Sequence, residues 1–99
     1  NAMDAAAIER VIRAAAGRAL VVVDEAYAEF CAAPSWAARI AADPHVVVLR
    51  TLSKAHGLAG ARIGSVLAAA PVIALLRRII PPYALAQPTV EAALAALEP

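Results

Sequence analysis

Two short, unbroken apolar runs, Ala19–Val23 and Val46–Leu49, stand out in a chain otherwise broken up by charges, prolines and glycines. Neither alternates polar with apolar, so each predicts a strand covered on both faces, as in a parallel sheet. Ahead of the first run, Asp4 predicts the cap of a helix extending to about Ala16. Ile8, Val11 and Ile12 would form its apolar stripe, and Gly17 its stop. Between the runs, Tyr27–Ala33 reads as loop, and Pro34-Ser35 opens a second helix over roughly Trp36–Ala42. Asp43-Pro44 ends that helix, and the second strand extends over His45–Arg50. Two strands joined by a helix predict a right-handed βαβ unit with both strand C-termini on one rim. Downstream come a glycine-bearing loop, Ser53–Gly60, and a strand over Ala61–Leu67. A helix over Val72–Ile80 follows, with Pro71 in its first turn and Pro81-Pro82 as its stop. Pro88 introduces a last helix, Thr89–Leu97. The expected fold class is α/β with a mostly parallel sheet.

Composition sharpens this picture. Hydrophobic residues make up 63% of the chain and charged residues 17%, against roughly 45–50% and about 25% in ordinary globular domains. A membrane span would explain the excess, but the best stretch, Ile63–Leu76, contains Gly64, Ser65 and Pro71. It is flanked by Arg62, Arg77 and Arg78, and falls short of the roughly 18–20 residues a span needs. No signal peptide is read either, because Asp4, Glu9, Arg10 and Arg13 lie among the N-terminal alanines. An interior slice of a larger domain, rich in core and poor in surface, accounts for the numbers better. Net charge is +1 with scattered basic residues, which gives no basis for nucleic-acid binding. A single cysteine, Cys31, excludes an internal disulfide and suits a cytoplasmic protein; it reads as a small buried hydrophobe. Asn1-Ala2 ahead of Met3 reads as a tag remnant, leaving 3–99 as domain sequence.

The chemistry gathers where the two strands end. Lys54, the only lysine, follows the second strand together with Ser53 and, a little later, Arg62; Asp24 and Tyr27 follow the first. A lysine, a serine, an arginine, an aspartate and a tyrosine are the parts needed to hold pyridoxal 5′-phosphate. The amine would bond the cofactor aldehyde, the carboxylate would keep the pyridine nitrogen protonated, and the tyrosine hydroxyl would reach the ring oxygen. Ser53 and the guanidinium fork of Arg62 suit the phosphate, with Thr51 as a possible further hydroxyl. Each residue also has a plainer alternative: a surface lysine, a turn aspartate, a packing tyrosine. Gly57 and Gly60 are expected to permit positive φ and close backbone approach. Gly57, Gly60 and Gly64 match neither the dinucleotide fingerprint nor the P-loop spacing. Glu25 reads as a structural partner with no chemical role, His56 as a packing or rim residue, Trp36 as a packing residue, and Tyr83 as an entrance or interface residue.

Three segments carry a family resemblance: Val21–Phe30 (VVVDEAYAEF), Leu49–Gly64 (LRTLSKAHGLAGARIG) and Ile79–Ala96 (IIPPYALAQPTVEAALAA). Together they resemble the histidinol-phosphate aminotransferases, fold-type I enzymes of the class I/II group that depend on pyridoxal phosphate. The resemblance implies a partial three-layer αβα sandwich belonging to the large, cofactor-binding domain. It places the cofactor bond on Lys54, the pyridine nitrogen contact on Asp24, the ring-oxygen contact on Tyr27, and the phosphate contacts on Ser53 and Arg62. The implied reaction moves an amino group between histidinol phosphate and the 2-oxo acid 2-oxoglutarate, in a homodimer of the histidine biosynthetic route. Other class I/II branches, an aromatic aminotransferase or a threonine-phosphate decarboxylase, share the lysine motif, and a non-catalytic associating α/β module is the reading from a different class. His56 stands where the family commonly has phenylalanine. The family chain is several times longer, so the N-terminal arm and the C-terminal small domain are expected to lie outside these residues. The 99-residue chain by itself is expected to be catalytically incomplete and to associate through its uncovered strands.

Overall fold

Val21-Val22-Val23 and Val46-Val47-Val48 are β-branched triplets, stiff at χ1 and suited to a pleated surface. Both are strands in the computed structural model, which describes residues 3–97. The tag reading of Asn1-Ala2 lies outside the described residues. Helix α1 spans Ala5–Ala15, strand β1 Val21–Asp24, strand β2 Val46–Thr51 and strand β3 Gly64–Ala68. Helices α2, Ala70–Arg77, and α3, Gln87–Leu97, follow. The three strands form one sheet in the order β1-β2-β3.

The sheet is mixed rather than mostly parallel. β1 and β2 run parallel, with Val21 opposite Val46 and Asp24 opposite Leu49. β3 runs antiparallel to β2, with Thr51 opposite Gly64. The reason is the connection: a parallel return needs a crossover of a dozen or more residues, usually with a helix to recross the sheet. The segment between β2 and β3 instead folds back on itself, with Leu52 N donating to Ile63 O at 3.3 Å.

The crossover between β1 and β2 carries no α-helix. The expected helix is a short 3₁₀ turn, Trp36–Arg39, capped by Ser35, whose Oγ accepts from Ala37 N at 3.1 Å. Pro34 and Pro44 bound the segment, and a helix this short is marginal unless an apolar face packs along its whole length. Other boundaries move by smaller amounts. α2 starts at Ala70 and ends before Ile80, α3 starts at Gln87, and β3 starts at Gly64 because residues 59–61 form a 3₁₀ turn.

α1 forms as its sequence dictates. Asp4 accepts from the free Ala6 and Ala7 amides at 3.4 and 3.2 Å, and Gly17 takes φ 69° just past the helix end. Its inward stripe is Ile8 and Ile12, one turn apart; Val11 is half exposed and lies outside the stripe. Ile12, Val46 and Val48 are fully buried and are flanked by Ile8, Val21, Val23, Trp36, Ala37 and Ile40. Burying one such side chain contributes about 1.5–3 kcal/mol. His45 Nε2 meets the Ile12 carbonyl at 2.9 Å, and Arg39 joins Asp43 at 2.8 Å and Glu9 at 3.1 Å. The hydrogen bond and charge of Asp43, with Glu9 beyond, hold the Arg39 guanidinium above its ordinary pKa.

Coverage on both faces holds for β2 alone. Val22 on β1 and Val66 and Leu67 on β3 remain exposed, as do Leu20, Leu75 and Ile79. Cys31 is exposed as well, contrary to its reading as a buried hydrophobe. It follows the 3₁₀ turn Ala28–Phe30 in extended conformation, within a run of exposed residues from Glu29 to Pro34. Among the described residues, no helix is long and apolar enough to cross a membrane.

Candidate functional site

The parallel register decides where the chemistry goes. Asp24 ends β1 opposite Leu49, and Glu25 N continues the ladder to Leu49 O at 2.9 Å. Thr51 ends β2 in the same direction, so Asp24 and the Thr51-Leu52-Ser53-Lys54 segment share one rim. Side chains nearly thirty positions apart in sequence therefore become neighbours.

On the β1 side, Asp24 Oδ1 accepts from Ala26 N at 2.9 Å, an Asx turn that orients the carboxylate. Among the described residues no donor reaches Oδ2. On the β2 side, Ser53 N donates to Thr51 Oγ1 at 3.1 Å, and Thr51 Oγ1 lies 2.9 Å from Ser53 Oγ and 3.3 Å from Ile63 O. When the Thr51 hydroxyl donates to Ser53, the Ser53 proton is left for another acceptor. The loop closes through Gly57 N to Lys54 O, 3.1 Å, and Leu58 N to Leu52 O, 3.0 Å.

Gly57 takes φ 68°, as its place in this loop suggested, but Gly60 does not take positive φ and sits inside the 3₁₀ turn Ala59–Ala61. The second left-handed residue is Arg62, at φ 54° and ψ 45°. An L side chain pays about 1–2 kcal/mol for that conformation. Its Nη1 donates to Ala59 O at 2.9 Å, which leaves the other guanidinium N–H groups for an anion.

Asp24, Ala26, Leu49, Arg50, Thr51, Ser53, Arg62, Ile63 and Gly64 line a depression of ≈ 290 Å³ on this rim. Lys54 and Tyr27 are not in its wall. They meet each other instead, with Lys54 Nζ 5.4 Å from the centre of the Tyr27 ring, a cation–π contact. Their chain neighbours Ser53 and Ala26 are lining residues, so the pair adjoins the depression. All five sequence-selected residues thus collect at one end of the sheet. A larger depression of ≈ 720 Å³ lies between Ile40, Pro44, Leu67 and Ile73, but its lining has no acid, base or nucleophile.

Sequence reasoning gave Glu25 a structural part without naming its partners, and passed over Arg50. Glu25 is buried and accepts from Ser35 Oγ at 2.8 Å, Trp36 N at 2.6 Å and Arg50 Nη2 at 2.9 Å. An acid immediately beyond an apolar strand, with an arginine on the facing strand, was the available signal. Only the strand register turns it into a contact. His56 is half-buried beside Lys54, and its Nδ1 is buried without a partner among the described residues. Trp36 packs on the core as expected. Tyr83 is fully exposed with φ 57°.

These side chains are of the types that would fit pyridoxal phosphate. An oriented carboxylate with a free oxygen, two hydroxyls, an arginine in reach of the same hollow and a lysine beside a tyrosine all stand on one rim. The histidinol-phosphate aminotransferase of Stenotrophomonas maltophilia (strain R551-3) is 56% identical over 92 residues, covering 93% of this chain and 25% of that protein. That of Xylella fastidiosa (strain 9a5c) is 57% identical over 86 residues, covering 87% and 24%. That of Sodalis glossinidius (strain morsitans) is 48% identical over 97 residues, covering 98% and 27%. The chain spans about a quarter of the length of these curated relatives. The family described as aminotransferase class I and II matches residues 1–99, and the chain belongs to that family.

Proposed function

We propose that this chain supplies the cofactor-holding rim of a histidinol-phosphate aminotransferase, which moves an amino group between histidinol phosphate and 2-oxoglutarate. The observation that carries the reading is the parallel register of β1 and β2, which puts Asp24 beside the Ser53-Lys54 segment. Identities of 48–57% to proteins of that name support the substrate.

The residues then divide the work. Asp24 Oδ2, free of donors among the described residues, accepts the pyridine N–H and keeps that nitrogen protonated. The Ser53 hydroxyl and the remaining Arg62 donors bind phosphate oxygens, Arg62 through its planar fork. Lys54 supplies the amine that anchors the cofactor and then carries a proton at Nζ. The Tyr27 hydroxyl donates to the ring oxygen. The chemistry such a cofactor supplies when bound is an electron sink at the substrate's α-carbon.

Residues 3–99 are in this reading part of the three-layer αβα large domain of a cytoplasmic homodimer, and the isolated chain does not turn over substrate. Exposed Val22, Val66, Leu67 and Leu75 support association, since open apolar patches of this kind mark interfaces. The test is titration with pyridoxal phosphate, borohydride reduction and peptide mapping. Label on Lys54 is expected; an unlabelled chain at saturating cofactor would overturn the reading.

A further inference from the structure

We propose that Glu25 is a positioning residue: clamped by Arg50, Ser35 and the Trp36 amide, it holds Tyr27 against Lys54. The inference rests on the reading of Lys54 and Tyr27 as cofactor-facing and adds a residue that reading leaves out.

Four donors converge on the Glu25 carboxylate. Oε2 accepts from Ser35 Oγ at 2.8 Å, Arg50 Nη2 at 2.9 Å and Arg50 Nε at 3.1 Å, while Oε1 accepts from Trp36 N at 2.6 Å. The two Arg50 bonds converge on a single oxygen and are charge-assisted, so they are among the stronger contacts available to a buried acid. Glu25 is the one buried charged residue among those described. Three segments meet on it: the end of β1, the turn at Ser35-Trp36, and β2.

The consequence falls on Tyr27. Its ring is exposed, with the Phe30 ring at 6.3 Å between centres and Lys54 Nζ at 5.4 Å. Its position over Lys54 Nζ is therefore set by its backbone, not by packing around the ring. That backbone hangs from two anchors, Ala26 N on Asp24 Oδ1 and the Glu25 cluster; the Glu25 carbonyl also accepts from Ala28 N at 3.0 Å. The partner side is fixed by the same acid, because Arg50 precedes Lys54 by four residues. Arg50 adds a contact to Glu29 at 3.4 Å on the far side of Tyr27. Glu25 and Arg50 thus grip both chains that carry the Tyr27–Lys54 contact.

Lys54 is the only lysine, so its ε-methylene proton resonance can be assigned without ambiguity. The Tyr27 ring current displaces it, and Tyr27→Leu defines its undisplaced value. In Glu25→Gln we expect it to move most of the way to that value while the α1 amides keep their hydrogen-exchange protection. Glu25→Asp should restore part of the displacement. Pyridoxal phosphate affinity should fall on the order of tenfold in Glu25→Gln, as for a small misplacement of a binding group. Arg50→Lys, which keeps the charge and loses the second bond, should move the resonance in the same direction by less. An unmoved Lys54 resonance in Glu25→Gln would overturn the proposal. So would loss of α1 protection in both Glu25→Gln and Arg50→Lys, which would make the cluster a general fold determinant. Failure of the underlying functional reading looks different: parent Lys54 would take no borohydride-trapped label while its resonance still responded to Glu25.

Discussion

Adding one methyl group at Gly64 tests how the rim is built. A Cβ there would stand 2.6 Å from the Arg50 carbonyl oxygen, closer than the 3.0 Å that real Cβ atoms keep, and the obstacle is backbone that cannot rotate aside. Gly64 faces Thr51 in the β2–β3 register, so the strands must separate by several tenths of an ångström at the end that leads into Ser53 and Lys54. Overpacking of this kind costs about 1–3 kcal/mol, and in a domain of this size each kcal/mol lowers Tm by about 4–8 °C. Gly60→Ala is the control. Its Cβ meets open space and its φ is ordinary, so the same methyl should be neutral or stabilising by about 0.4–1 kcal/mol through the unfolded chain. Gly57→Ala also meets open space, yet its φ of +68° should cost about 1–2 kcal/mol in backbone strain. Urea unfolding of the three variants, read by Trp36 fluorescence, gives the order Gly60→Ala, Gly57→Ala, Gly64→Ala from most to least stable. Gly64→Ala within about 0.5 kcal/mol of the parent, the range of an ordinary surface change, would refute the close β2–β3 approach at the rim.

Three further outcomes follow from single contacts. His56→Phe should raise the urea midpoint, because an unpaired buried Nδ1 costs about 1–3 kcal/mol that an apolar ring avoids; a lower midpoint would mean that the nitrogen has a partner. Asp4→Ala should cost about 0.5–2 kcal/mol through the Ala6 and Ala7 amides it leaves unpaired, read as lost helical circular dichroism on heating. Lys54→Arg keeps a cation beside Tyr27 but removes the amine. It should leave thermal unfolding near the parent and abolish borohydride-trapped label, and label found elsewhere on the chain would refute the assignment of Lys54.

What could be read in advance was whatever depends on near neighbours. The Asp4 cap, the Gly17 stop and the valine triplets act within one turn or one strand, and all form where their sequence places them. The grouping of Asp24, Tyr27, Ser53, Lys54 and Arg62 was legible for a related reason: two parallel strands have one C-terminal rim, whatever links them. The features that were not legible depend on distance in sequence or on competition. Whether β3 returns parallel or antiparallel is decided by how a loop closes, through Leu52 N and Ile63 O, and no periodicity encodes it. The left-handed conformation fell to Arg62 while Gly60 took a 3₁₀ turn, because the loop as a whole selects the residue that turns. Cys31 was assigned inward from residue type alone, a preference that its place on an exposed loop overrides.

The same distinction explains why Glu25 could be read only as a structural partner, without its contacts, while Asp24 could be given a role. Asp24 announces itself by its place at a strand end, where a carboxylate aimed along the rim has an evident use. Glu25 points instead to Ser35, Trp36 and Arg50, which lie ten, eleven and twenty-five positions away. Its environment exists only after the register of β1 on β2 has been set. The same register sets Val21, Val23, Val46 and Val48 against Ile12 and its neighbours, and a slip of one residue would turn each of these valines to the opposite face. The apolar core at one end of these strands and the charged cluster at the other are therefore one determinant read twice: displace the valines and Glu25 loses Arg50. A core truncation such as Ile12→Ala should for that reason disturb the Lys54 resonance as well as stability, despite having no contact with the rim.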